Sequence, residues 1–247
     1  MTIHEHHLET LRKGVLDEFT RDMSTCLIAT TPMRLAEHAR NWRWKLTPLN
    51  GVAAEDALVV QKPGFAAQLW VRHGVRRYRR LYLGYLQQHV DSSISGIGTD
   101  WQVDHLQASH RFAPGHPVYF IRMALVARGV NASYGAGFEK AFYSRERGKE
   151  PEGGFHMDWL ALLKSQGVRL PGKAVGHKRW RSWSWDVATR LEESVGEDRV
   201  LAYHGITTML NLGYREHFAP LPVLPEHESI ARGYPSWACC PGLEPNE

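Results

Sequence analysis

The stretch Trp101–Lys140, WQVDHLQASHRFAPGHPVYFIRMALVARGVNASYGAGFEK, constrains the fold of this 247-residue chain more than any other. It opens on an alternating segment that ends in Asp104-His105. Such alternation marks a half-buried strand. A turn containing proline and glycine follows, then a second β-rich run from Val118 to Val126, then Asn131 at the mouth of a short predicted helix. The order is strand, turn, strand, helix. Two residues suited to catalysis close the first strand, and an amide stands at the helix.

Those residue types suit one chemistry. Phosphodiester hydrolysis needs an activated water, a cation on the phosphate and relief of charge on the departing oxygen. A neutral histidine can take the water's proton near pH 7. A carboxylate and an amide oxygen are hard donors that suit Mg²⁺, which keeps most of its waters. Strand alternation sends Asp104 and His105 to opposite sides of the backbone, so that one can hold a metal while the other faces the water. The bland alternative is a surface turn pair with Asn131 as a helix cap. Capping and metal binding by Asn131 are compatible.

Val-Asp-His-Leu followed by Asn131 resembles the HNH, or His-Me finger, nuclease superfamily. The subtype is the one in which Asp-His on the first strand is answered by Asn on the helix. The resemblance implies a ββα-metal finger, with Asp104 and Asn131 as metal ligands, His105 as general base and Mg²⁺ or Mn²⁺ as cofactor. Asn131 and Glu139 stand about two helical turns apart and can share a face. In the DNA/RNA non-specific branch an Asn and a Glu at that spacing serve the metal centre, which makes Glu139 an implied water-mediated ligand.

Composition narrows the rest. A net charge of +4 favours a polyanionic partner. The three cysteines, Cys26 and the adjacent Cys239-Cys240, are too few and too badly spaced for a disulfide framework or a Cys-rich zinc site. A reduced compartment is expected. The N-terminal MTIHEHHLETLRKGVLDEF lacks the apolar segment of a secretory signal. No apolar run is long enough to span a bilayer.

Along the chain, Leu8, Leu11, Val15 and Phe19 predict a helix over Ile3–Met23, with His4, His6 and His7 read as solvated. Met33–Trp44 reads as a second helix with Pro32 in its first turn. Ala57–Val71 reads as a strand pair. The run RHGVRRYRR, Arg72–Arg80, holds five arginines in nine residues. If helical, it presents Arg72, Arg76, Arg79 and Arg80 together, either to phosphates or as a solvated face with stems packed on tyrosines. Arg111 and Arg128 are further candidates for a flanking phosphate. Ser92–Gly98, SSISGIG, reads as a linker. Phe155–Ser165 reads as a helix, with His156 and Asp158 near enough in sequence to join the site. The segment His177–Trp185, HKRWRSWSW, could stack on bases, but continuation through Val187, Leu191 and Val195 favours core tryptophans on a helix. A last helical or mixed segment runs from Arg199 to about Phe218.

The reading is an α+β protein with a ββα-metal core in mostly helical flanks. Its expected regions are 1–95, 96–220 and a proline-rich tail at 221–247. The expected function is metal-dependent hydrolysis of DNA by His105, Asp104, Asn131 and Glu139. A cytoplasmic protein is expected, or an antibacterial effector delivered without a signal peptide and matched by an immunity protein; a phage or mobile-element endonuclease is equally consistent. An RNase, a transferase acting without metal and a non-catalytic nucleic-acid-binding protein are the alternatives.

Overall fold

Helix α1 (Glu5–Arg21) forms where Leu8 and Phe19 recur on one face, and both are buried there. This computed structural model describes residues 5–21, 26–108, 119–139, 154–172 and 177–214. After α1 come β1 (Leu27–Thr30), α2 (Pro32–Trp42), β2 (Lys45–Pro48), β3 (Ala57–Gln61), β4 (Gln68–Arg72) and α3 (Tyr78–His89). Then follow β5 (Trp101–His105), β6 (Phe120–Ala127), α4 (Arg128–Ser133), a π-helical turn (Tyr134–Glu139), β7 (Phe155–His156) and α5 (Trp159–Ser165). Thr31 caps α2 by accepting from the Arg34 amide at 3.3 Å, and Pro32 begins the helix where a missing N–H costs nothing. Residues 1–172 form one compact unit and 173–247 a second.

The first unit is α+β. Its antiparallel sheet runs β2-β3-β4-β6-β1-β7, with β5 paired to β6 off that path. Alternation divides β3 and β4 between two cores. Val59, Leu69 and Val71 face Leu81, Tyr82 and Leu86 of α3, while Val60 and Trp70 pack with Leu35 and Ala39 of α2. Edge strand β2 carries Lys45 and Pro48, residues that discourage further pairing. Gly154 has φ +123°, and a Cβ there would meet the Ala29 carbonyl oxygen at 2.7 Å; only glycine lets β7 approach β1 so closely.

A buried ionic cluster pins α1 to the sheet. The fully buried Glu18 accepts from Gln68 Nε2 and Arg122 Nη1, each at 2.7 Å, and from Lys62 Nζ. The Lys62 ammonium also lies 4.1 Å from the Trp44 ring centroid. Charges buried this deeply persist only when paired and hydrogen-bonded.

Strand β6 connects fold and site. Its first half sits between β4 and β1, with Ile121 opposite both Val71 and Ala29. Its second half pairs with β5, setting Asp104 opposite Ala124 and His105 opposite Met123. Helix α4 follows β6 directly.

Several expectations change here. The chain does not divide at 95/96: Ile94 is buried among Val59 and Leu81, and β5 joins the sheet through β6. The Ser/Gly composition of that stretch masked a core isoleucine. His7 is buried rather than solvated, with Nε2 at 3.2 Å from Asp91 Oδ2. The basic run is not one helix, because Arg72 ends β4 and α3 begins only at Tyr78. The helix expected from Phe155 starts at Trp159, with Asp158 as its cap and His156 exposed in β7.

In the second unit, α6 (His177–Val195) and α7 (Arg199–Tyr214) bury Trp180, Val187, Leu191, Tyr203, Ile206 and Leu210. Trp185 meets Tyr203 edge-on at 5.4 Å, and the Arg199 guanidinium lies 4.8 Å from the Trp185 ring centroid. Trp180 is thus a core residue, as the helical periodicity implied. The proline-rich tail and Arg111 lie outside the described residues. No helix among the described residues is long and apolar enough to cross a membrane.

Candidate active site

An open cleft of about 440 Å³ lies where β5, α4 and the π-helical turn meet, lined by Gln102, Asp104, His105, Arg128, Asn131 and Glu139 among others. All four residues expected to form the site therefore face one space. Gln102 and Asp104 are two apart on β5 and share a face. His105 closes the strand and lines the cleft, and its ring lies beside Tyr78 of α3, whose ring centroid is 5.1 Å away. Asn131 lies within α4 rather than at its cap position, which Ala127 occupies. The π-helical turn beyond it contains Gly135 and Gly137, poor α-helix formers. That wider winding carries Glu139 to the cleft, and π segments recur at functional sites.

Beneath the carboxylates lies a residue that sequence reasoning missed. Lys164, on α5, is 1 % exposed. Its ammonium donates to Glu139 Oε1 at 2.6 Å and pairs with Asp104 Oδ2, 5.9 Å from the Tyr134 ring centroid. Burial alone would lower its pKa, but Asp104 and Glu139 outweigh burial and hold it above the ordinary lysine value. The ammonium stays charged. Asn131 is fixed in parallel, because its Nδ2 donates to Gln102 Oε1 at 2.8 Å. Asp104, Glu139 and Asn131 thus each have one atom tied back to the protein. Asp104 Oδ1 and Asn131 Oδ1 make no hydrogen bond among the described residues.

Burial pushes the His105 imidazole below its usual pKa; the Asp104 charge opposes this shift, while His73 and Lys164 add to it. His105 is consequently neutral at pH 7, the form that accepts a proton. Its Nε2 is shielded from solvent and has no hydrogen-bond partner among the described residues.

The arginines divide into two groups. Arg72 and Arg77 both donate to Asp56, at 2.7 Å each, and those hydrogen bonds hold its carboxyl below the usual range. Arg79 donates to the carbonyls of Trp101, Ile97 and Gly98 at 2.8–3.2 Å, tying α3 to β5. Arg76 and Arg80 are exposed and have no ion pair among the described residues, and Arg128 lines the cleft itself.

A divalent ion fits the donor chemistry. Among the described residues no trio of His, Cys, Asp or Glu is placed to hold a metal. Asp104 Oδ1 and Asn131 Oδ1 nevertheless make a two-oxygen set of the kind that suits Mg²⁺ with several waters retained. Gln102 and Lys164 contact the other polar atom of each, as partners that orient metal ligands do.

No protein-family model matches this chain, and neither a curated protein nor a solved structure matches it.

Proposed function

We propose that this cleft hydrolyses DNA phosphodiester bonds, as a metal-dependent endonuclease of the HNH type built on β5, β6 and α4. The observation that carries the reading is the convergence of Asp104, His105, Asn131 and Glu139 on one cleft from two strand-end positions and two helical turns. Chance pairing of Asp with His in a sequence gives no reason for the amide and second carboxylate to meet them.

His105 is the base. With Nε2 shielded, Nδ1 takes a proton from water, and the water oxygen attacks phosphorus in line with the leaving oxygen. The P–O3′ bond breaks, and the departing 3′ oxygen collects a proton from solvent. Asp104 and Asn131 would hold Mg²⁺ or Mn²⁺, which supplies neutralisation of phosphate charge when bound. Arg128, which lines the cleft, would contact a flanking phosphate, and the exposed Arg76 and Arg80 would add further phosphate contacts. Cations crowd the N-terminal end of α3, against its dipole, and an anion there offsets that conflict. An antibacterial effector with an immunity protein is one setting for such an enzyme; a phage or mobile-element endonuclease is another.

The test is nicking of supercoiled plasmid and of a matched RNA by the purified chain, with Mg²⁺, with Mn²⁺ and with excess EDTA. Divalent-dependent nicking of DNA is expected. Cleavage of RNA alone would move the substrate class, activity retained in EDTA would remove the metal, and binding without cleavage would leave a nucleic-acid-binding protein.

A further inference from the structure

We propose that Lys164 is a tethered cation that sets how tightly the cleft holds a divalent ion. The inference rests on the metal-donor part of the reading above, and asks what a fixed ammonium does to that site.

The relevant observation is where Lys164 sits. Asp104 and Glu139 line the cleft, whereas Lys164 does not. Its ammonium lies behind them, buried, and contacts one oxygen of each. One ammonium thus faces two carboxylates. A lysine only needed to anchor α5 could use one acceptor at the protein's edge. This one spans two acids that the chain brings from β5 and from the π-helical turn, at the very place where a cation would be drawn.

Two consequences oppose each other. Clamping one oxygen of each acid fixes the carboxylates and favours ligand binding. The ammonium also repels a second cation that shares Asp104 with it. The charges would lie one carboxylate apart, where repulsion between a single and a double charge costs more than tenfold in affinity even at an effective dielectric near 20. Charge wins over clamping. The site is therefore built to bind a divalent ion weakly and release it readily, and α5 carries the residue that makes it so. Because Lys164 is covalently held and shielded, salt cannot screen it as it would a surface charge.

A purely structural lysine makes a different prediction, since its loss would loosen the acids and weaken metal binding. The deciding measurement is Mn²⁺ binding to the full chain, followed by calorimetry and by the resonance signal of free Mn²⁺, for wild type, Lys164→Met and Glu139→Gln. Lys164→Met should bind Mn²⁺ tighter by about tenfold or more, and Glu139→Gln should bind it weaker by about tenfold. Unchanged or weaker binding by Lys164→Met overturns the proposal, as does the absence of Mn²⁺ binding in both wild type and that variant. Where Lys164→Met does not fold, Lys164→Gln decides, since it keeps a polar donor beside both acids without the charge: tighter binding supports the proposal and unchanged or weaker binding overturns it. DNA cleavage is not read in this experiment. A chain that binds Mn²⁺ as expected but cuts no DNA would end the nuclease reading and leave the role of Lys164 standing.

Discussion

Lys164 Nζ stands 2.6 Å from Glu139 Oε1 and shares its other side with Asp104, so one buried ammonium ties α5 to both β5 and the π-helical turn. The site and the packing of α5 are therefore the same piece of structure. Lys164→Met should destabilise the metal-free protein by about 3 kcal/mol, the scale expected when one partner of a buried pair is removed and the other is left behind. A urea midpoint that does not move would show that the acids find water instead.

The Glu18 cluster, which does not line the cleft, makes a parallel prediction. Glu18→Gln removes the one carboxylate that both buried cations, Lys62 and Arg122, contact and should cost about 3–5 kcal/mol, read as a lower urea midpoint. An effect below about 1 kcal/mol would mean that water reaches the cluster.

The arginine run should separate into two kinds in DNA binding. Arg76→Gln and Arg80→Gln should each flatten the slope of log affinity against log salt by about one unit, the signature of a lost phosphate contact. Arg72→Gln and Arg79→Gln should leave the slope unchanged, because those guanidinium groups bind Asp56 and backbone carbonyls. Equal effects at all four positions would contradict this division.

Asp56 gives a pH prediction. Hydrogen bonds from Arg72 and Arg77 hold its folded pKa below the ordinary value, so its contribution is fully present above the unfolded pKa of about 3.9 and is lost as pH falls through the folded pKa. Asp56→Asn should therefore be less stable than wild type at pH 7, with the difference shrinking in acid. A gap that persists at the acid end would place the interaction's origin elsewhere.

How far the sequence revealed this arrangement depends on the range of the interactions. Local pattern was enough for β5, β6 and the helix after them, because alternation and helical periodicity are written in neighbouring residues. It was enough for α1 and for the burial of Trp180 as well. Gln102 was not singled out, although its place two residues from Asp104 on the same strand face is a local signal. Lys164 was missed too. Its only local sign is a lone cation in the apolar run WLALLKS, and nothing in that run names partners on β5 and in the π-helical turn. For the arginines the range is again long: which of them remain available depends on Asp56, on the carbonyls of Ile97 and Gly98, and on that of Trp101 in β5. The linker reading of Ser92–Gly98 failed because small, polar composition outweighed the single buried Ile94.

The central claim is that the convergence on this cleft is catalytic, and His105 tests it most directly. Single-turnover cleavage of supercoiled DNA in Mg²⁺ should be compared for wild type and His105→Ala, with circular dichroism and DNA affinity measured on both. Loss of the general base should slow cleavage by roughly 10²–10⁴-fold while fold and affinity stay near wild type. A His105→Ala protein that retains more than about a third of the wild-type rate would contradict the account.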